Sequence, residues 1–133
     1  MVDTAHGDLV HRILLRPKDY DATLAFYRDT LGLAVARDYG AGMVFFAGQS
    51  LIEIAGHGRP DGPLTAFPGA LWLQVRDVYE TQTELESRGA SISRAARQEP
   101  WGLHEMHVAA PDGVTLIFVQ IPPDHPLRKD TRR

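Results

Sequence analysis

The sequence contains no cysteine among its 133 residues. This absence excludes disulfides, thiolate nucleophiles and Cys-ligated zinc or iron–sulfur centres. Any metal site would therefore depend on His, Asp and Glu, and the six histidines keep that possibility open.

Long apolar runs and basic clusters are also missing. No apolar segment approaches the ~20 residues that a membrane span needs, and residues 1–8 lack a basic segment followed by an apolar one. No run of Lys and Arg interleaves with aromatic residues, and the formal net charge is −3. These absences predict a cytoplasmic protein with neither a membrane nor a nucleic acid as partner.

What the sequence does contain is an internal repeat. The segment Leu15-Arg16-Pro17-Lys18-Asp19-Tyr20 has a counterpart, Leu73-Gln74-Val75-Arg76-Asp77-Val78, that begins 58 residues later. Each copy ends a short apolar run and leads into a helical pattern through an Asp placed as an N-cap. Both halves of the sequence therefore begin with a strand followed by a helix.

Three strand-like runs follow each helix, so each half reads β-α-β-β-β. One helix covers only one face of a short sheet. We therefore expect an α+β fold in which two tandem βαβββ modules form a curved mixed sheet around a concave pocket. The predicted strands are residues 10–17, 34–38, 43–47, 51–55, 70–75, 91–95, 104–108 and 114–121.

Composition sets the predicted boundaries of these parts. Residues 9–122 are predicted to form a single domain, with module one at 9–56 and module two at 70–122. The intervening residues 57–69 are rich in Gly and Pro, which is typical of a linker. Residues 123–133 are a polar C-terminal tail.

Alternation along the strands predicts which side chains face the pocket. Ile13 and Leu15 are expected to pack beneath the first helix, which turns their neighbours to the concave side. The resulting lining is mixed polar and aromatic, as in small-molecule sites. The predicted ligand-binding residues are Arg12, Arg16, Glu53, Trp72, Gln74, Glu105 and His107, with Leu14, Ile117 and Val119 as aliphatic neighbours.

Two side-chain types in this set suggest particular roles. Trp72 offers a flat indole for stacking on a planar ligand, whereas Trp101, in a loop, is expected to pack in the ordinary way. Glu53, Glu105 and His107 are the candidate acid and base residues, although a strand histidine is more often a structural hydrogen-bonding group. The identity of any catalytic residue stays open.

Two motifs and the repeat carry a family resemblance. They are Phe26-Tyr27-Arg28-Asp29-Thr30-Leu31-Gly32-Leu33, after an Asp-capped helix start, and Pro111-Asp112-Gly113, before the last strand. Over residues 9–122 the chain resembles the vicinal oxygen chelate superfamily. That superfamily includes glyoxalases, extradiol dioxygenases, fosfomycin resistance enzymes and bleomycin resistance proteins.

The resemblance implies a metal site that this sequence does not reproduce. Enzymes of the superfamily take one ligand from each of the first, fourth, fifth and eighth strands, usually His, Glu, His and Glu. The matching positions here are Arg12, Glu53, Ala70 and Ile117. Only Glu53 offers a lone pair, and Arg12 repels a cation. We expect Arg12 to pair with Glu53, although a shift of register would bring His11 to the site instead.

The resemblance therefore implies a small-molecule-binding homodimer of the bleomycin resistance kind. Such a protein would sequester an antibiotic or other natural product without a metal cofactor and without an enzymatic reaction. The alternative is a lyase or dioxygenase that holds a divalent metal with Glu53 and His11, His104 or His107. Metal-free acid/base catalysis by Glu53 or Glu105 with His107 is a third possibility.

Overall fold

The computed structural model describes residues 11–58 and 67–128. The chain divides into two compact units, residues 1–62 and 63–133, and each contains one module of the predicted type. Most of the predicted linker, the beginning of the first predicted strand and the end of the predicted tail lie outside the described residues.

Module one is a four-stranded mixed sheet with one helical segment. Its strand order is β1-β4-β3-β2, with β1 parallel to β4 and the other neighbours antiparallel. An α-helix, α1, connects β1 to β2 and continues directly into a π-helical turn. The elements are β1 (Arg12–Leu15), α1 (Tyr20–Ala25), the π-helical turn (Phe26–Thr30), β2 (Val35–Asp38), β3 (Gly42–Ala47) and β4 (Ser50–Ala55).

Module two repeats this topology. Its strand order is β5-β8-β7-β6, with β5 parallel to β8 and the remaining pairs antiparallel. Short 3₁₀ turns follow β7 and β8. The elements are β5 (Ala70–Gln74), α2 (Val78–Ser87), β6 (Ser91–Gln98), β7 (His104–Ala109), a 3₁₀ turn (Pro111–Gly113), β8 (Thr115–Gln120) and a 3₁₀ turn (Pro126–Arg128).

The α+β class and the two βαβββ modules are thus confirmed. The described strands differ from the expected arrangement in one respect, since they form two sheets of four and not one continuous sheet. The parallel pairs explain this difference. In each module the last strand returns beside the first, so the described strands of a module pair with one another.

Local sequence sets where the helices begin and end. The Asp19 carboxylate accepts a hydrogen bond from the Ala22 N–H at 3.1 Å, and Asp77 accepts from the N–H groups of Tyr79 and Glu80 at 3.0 and 3.1 Å. These bonds satisfy donors that a first helical turn leaves without intrahelical partners. Gly89 follows α2 with φ of 81°, a conformation that costs glycine little.

Each module buries its core between the sheet and the helix. Tyr27, Phe45 and Ile54 are fully buried in module one, as are Met106 and Leu116 in module two. The side chains that alternate with them, such as Arg12, Leu14 and Glu53, lie on the opposite face. No helix in the described ranges is long and apolar enough to cross a membrane.

Replacement of the Asp77 cap tests its contribution to module two. We expect Asp77→Ala to lower the free energy of unfolding by about 1 kcal/mol, because two helix N–H groups lose their acceptor. Asp77→Asn is the matched control, since an amide oxygen also caps well, and it should stay close to wild type. Urea unfolding followed by circular dichroism measures both variants. Equal losses in Ala and Asn would show that the cap bonds are not the cause.

Candidate functional site

Strand pairing shows which positions of the two modules are equivalent. Leu14 on β1 pairs with Glu53 on β4, and Trp72 on β5, 58 residues after Leu14, pairs with Ile117 on β8. Glu53 and Ile117 therefore hold the same place in their sheets. The register predicted from the repeat is confirmed at these positions, and module two has an aliphatic side chain where module one has a carboxylate.

The predicted ion pair between Arg12 and Glu53 is confirmed. The Nη1 of Arg12 donates to Oε1 of Glu53 at 2.8 Å. The carboxylate side chain is only 14% exposed, whereas the guanidinium side chain is 43% exposed. Glu53 is thus the shielded partner, and Arg12 retains donor groups near solvent.

Sequence reasoning missed two further members of this cluster. The Tyr39 hydroxyl donates to Oε2 of Glu53 at 2.6 Å, and its oxygen also lies 3.0 Å from Nε2 of His57. Tyr39 lies between the predicted strands 34–38 and 43–47, and His57 is the first residue of the predicted linker. Neither alternation nor the repeat covers residues beyond the strand ends, so these signals could not place them. We call Arg12, Tyr39, Glu53 and His57 the Glu53 cluster.

Gly42 provides the space that brings Tyr39 to Glu53. A Cβ at Gly42 would overlap the Tyr39 hydroxyl and would lie 2.8 Å from the backbone oxygen of Ile54. The phenol therefore crosses the sheet over a position with no side chain. Gly42 is the first residue of β3, one residue before the predicted strand 43–47.

The hydrogen bonds of the cluster fix its protonation states. The bond from Tyr39, followed by the bond from Arg12, lowers the pKa of Glu53 below its ordinary value. The bond to Glu53 and burial raise the pKa of Tyr39 to about 12. At neutral pH the carboxylate is therefore ionised and the phenol is protonated, so Glu53 is a weak proton acceptor.

The donor set of this cluster does not fit a divalent metal. Each carboxylate oxygen of Glu53 already has a hydrogen-bond donor. Nδ1 of His11 lies 3.2 Å from the Ser50 hydroxyl, and Ser50 alternates onto the helix side of β4, away from Glu53. No group of three or more His, Asp or Glu side chains within residues 11–58 and 67–128 is arranged to hold an ion.

The other predicted site residues divide between the two modules. The Arg16 guanidinium lies against Gly58, because a Cβ there would be 3.0 Å from its Nε. Trp72 is 49% exposed on β5, and Gln74 is exposed two residues further along the same face. In module two, His107 pairs with Ile117 on the adjacent strand, and Glu105 pairs with Val119.

Glu105 is held within a network formed by the β6–β7 loop. Its side chain accepts a hydrogen bond from the indole N–H of Trp101 at 2.8 Å. Glu99, which is 5% exposed, forms ion pairs with Arg94 and Arg97. The expectation of ordinary packing for Trp101 is wrong, since the residue is 57% exposed. Besides its indole N–H, its backbone oxygen is held, 3.0 Å from Nε2 of His125.

The same loop changes the role of Val119. Sequence alternation placed Val119 on the pocket face, but it is fully buried with Leu103 and Ile121, and Ile117 packs against this cluster. Leu103 comes from the β6–β7 loop, which folds back over this part of the sheet. Val119 is therefore a core residue of module two and not an accessible lining residue.

A β-bulge occurs at equivalent points of both modules. Val35 pairs with Phe45 and Arg37 with Val44, whereas Ile92 pairs with Val108 and Arg94 with His107. One extra residue in each outer strand turns the following arginine onto the face opposite the helix. The repeat contained this signal as Val35-Ala36-Arg37 and Ile92-Ser93-Arg94.

His107 lies beside one of these arginines. Burial, followed by the charge of Arg94, lowers the pKa of His107, and the charge of Glu105 opposes this effect. The imidazole is consequently neutral at neutral pH. His104, the other strand histidine considered as a ligand, has its Nδ1 2.6 Å from the Tyr79 hydroxyl.

Two comparisons place this architecture among known proteins. The Glyoxalase/Bleomycin resistance protein/Dioxygenase superfamily model matches residues 9–118. No curated protein sequence gives a significant match. The chain therefore belongs to the Glyoxalase/Bleomycin resistance protein/Dioxygenase superfamily.

Solved structures show the same fold at low sequence identity. A glyoxalase/bleomycin resistance protein/dioxygenase from Nocardioides is 13% identical, with a TM-score of 0.71 and coverage of 89% of this chain and 87% of the other. A glyoxalase-related enzyme from Fulvimarina pelagi is 22% identical (TM-score 0.69; 86% and 89%). A lactoylglutathione lyase from Agrobacterium tumefaciens is 21% identical (TM-score 0.65; 85% and 93%).

Substitution of Gly42 tests the close approach of Tyr39. We expect Gly42→Ala to lower the free energy of unfolding by about 1–3 kcal/mol, because the added methyl group overlaps the phenol and a backbone oxygen. Gly69→Ala is the control, since the added Cβ would lie 3.4 Å from its nearest neighbour, a ring carbon of Phe67. Chemical denaturation measures both. A wild-type stability for Gly42→Ala would contradict the tight contact.

The lowered pKa of Glu53 predicts a pH-dependent contribution to stability. A carboxyl group with a depressed folded-state pKa stabilises the protein above its unfolded value, near 4.5, and loses this effect as pH falls through the folded-state value. Glu53→Gln should cost about 1–2 kcal/mol at pH 7, and the difference from wild type should shrink below pH 4.5.

Urea unfolding at pH 7, 5 and 3.5 measures this difference. Glu86→Gln, at an exposed carboxylate on α2, is the control and should track wild type across the series. A Glu53→Gln deficit that persists unchanged at pH 3.5 would show that lost packing, and not lost charge, is responsible.

Proposed function

We propose that this protein is a metal-independent small-molecule-binding protein of the glyoxalase/bleomycin resistance type. Arg12 stands where the enzymes of the superfamily place a metal ligand, and it serves as the main polar contact for the ligand. The single observation that carries this proposal is the Arg12–Glu53 ion pair, with an exposed guanidinium and a shielded carboxylate.

The geometry suits binding because the guanidinium is held in place before any ligand arrives. Glu53 fixes Arg12 through one Nη1 bond, and Tyr39 fixes Glu53 from its other oxygen. A preorganised cation loses little conformational entropy when it binds an oxygen-rich ligand. Within module two, taken by itself, Trp72 is exposed and provides an apolar surface suited to a planar group.

Catalysis by Glu53 has less support than binding. A general base works best when its pKa lies near the working pH, whereas the bonds from Tyr39 and Arg12 lower the pKa of Glu53. His107 is neutral and could accept a proton, but it lies beside Arg94, and the nearby Glu105 carboxylate accepts a hydrogen bond from Trp101. We therefore propose a protein that returns its ligand unchanged.

The biological context follows from the family and the composition. We propose a cytoplasmic homodimer that sequesters a natural product such as an antibiotic, as proteins of the bleomycin resistance kind do. Twofold symmetry is the commonest arrangement of soluble homo-oligomers. Light scattering on the purified protein tests the dimer, and mass spectrometry of co-purifying compounds tests the ligand.

The role of metal is tested on protein purified without chelators. We expect elemental analysis to find far less than one equivalent of Ni, Zn, Fe or Mn. Dialysis against EDTA should leave the melting temperature and ligand binding unchanged, because no described donor set depends on an ion. A stoichiometric, tightly held metal that disappears in Glu53→Gln would instead establish the lyase or dioxygenase alternative.

A further inference from the structure

The face of the module-one sheet that carries the Glu53 cluster has an excess of positive charge. Within residues 11–58, Arg12 and Arg37 lie on this face with one carboxylate, Glu53, and Arg16 lies at its edge beside Gly58. Asp38 does not offset this charge, because it pairs with Met43, which is buried beneath the helix. The excess is local, since the whole chain carries −3.

The corresponding face of module two is balanced in charge. Arg94 and Arg97 both form ion pairs with Glu99, and Glu105 lies opposite Arg97 on the neighbouring strand. Two arginines therefore meet two carboxylates there. An arginine after the bulge therefore does not by itself make an anion site, because the arginines of a face must also outnumber its carboxylates.

Tyr39 links the two arginines of module one. Arg37 lies over the Tyr39 ring, with its Cζ 5.4 Å from the ring centroid, and the hydroxyl of the same residue binds the carboxylate that holds Arg12. β1 and β2 are the outer strands of this sheet, separated by about 14 Å at the backbone. The Tyr39–Glu53 pair thus draws side chains from both outer strands toward its centre.

Exposed apolar side chains lie on the same face. Leu14 is 41% exposed and pairs with Glu53, and Phe46 is 50% exposed and pairs with Leu51, the β4 neighbour of Arg12. These residues would contact the apolar part of a ligand whose charged end lies at Arg12. A site with both properties suits a molecule that is apolar at one end and anionic at the other.

We infer that the ligand is an amphipathic organic anion, with a carboxylate bound by Arg12 and Arg37 and an aromatic or aliphatic body on Leu14 and Phe46. This inference rests on the proposed function and adds the ligand's chemical class. A carboxylate matches the planar donor geometry of a guanidinium, which binds it through two parallel hydrogen bonds. The local charge of this face favours an anion even though the whole chain carries −3.

The test compares two probes of matched shape and different charge. Binding of 2-naphthoate and of neutral 2-naphthamide is followed by amide chemical shifts at low salt. We expect naphthoate to bind at least tenfold more tightly, with shifts at Arg12, Leu14 and Phe46, and added salt to weaken it. Equal affinities with shifts at these residues would overturn the anion inference and leave the small-molecule site intact.

Variants assign the preference to particular side chains. Arg12→Gln should weaken naphthoate binding by about ten- to a hundredfold and leave naphthamide binding nearly unchanged, because one charge-assisted contact is lost. Arg12→Lys should retain part of the preference, and Arg37→Gln should reduce it. Arg28→Gln is the control, since that side chain pairs with Asp29 in the π-helical turn. Melting temperatures verify that each variant is folded.

Two other outcomes would count against the inference. Tighter binding of 2-naphthylmethylammonium than of naphthoate would show that the face prefers cations. If no probe binds near the module-one sheet at millimolar concentration, the ligand site assigned to Arg12 is wrong as well, and the proposed function fails with it.

Discussion

An ionised carboxylate on the half-covered face of a sheet needs hydrogen-bond donors, and Glu53 acquires them from two directions. Arg12 supplies one from the neighbouring parallel strand, and Tyr39 supplies the other from the hairpin between β2 and β3. Both depend on the backbone, because the parallel register aligns β1 with β4 and Gly42 leaves room for the phenol. The rest of the candidate site is organised around this carboxylate.

The two modules show how one backbone supports different surfaces. Both have the same strand order, the same parallel pairing and the same bulge before an arginine. In module two the register of β6 shifts a second time, between Arg94 and Arg97, and there the Ala96 N–H donates to the Gln82 side chain at 2.7 Å. The difference arises in the β6–β7 loop, which brings Glu99 and Leu103 over its own sheet and neutralises the arginines there.

Local patterns predicted most of the fold. The Asp caps, the strand alternation and the repeat depend on neighbouring residues, so they could be read without a structure. The Arg12–Glu53 pair was predictable for a related reason, because the repeat and the alternation together fixed the strand register. Alternation placed Val119 on the correct face, but the accessibility expected for Val119 and the packing expected for Trp101 were wrong. The β6–β7 loop folds back over this face, and alternation does not show what covers a face.

The sequence by itself determined which residues share a face and which positions lack a metal donor. Strand periodicity and side-chain chemistry are local properties. The side chains of Arg12, Ala70 and Ile117 cannot offer lone pairs to a metal in any fold. Only the tertiary structure decided that Tyr39 crosses Gly42 to reach Glu53, and that Arg94 and Arg97 meet two carboxylates while, among the described residues, Arg12 and Arg37 share a face with one. These contacts join residues from loops and separate strands, and their formation depends on packing and the path of each loop.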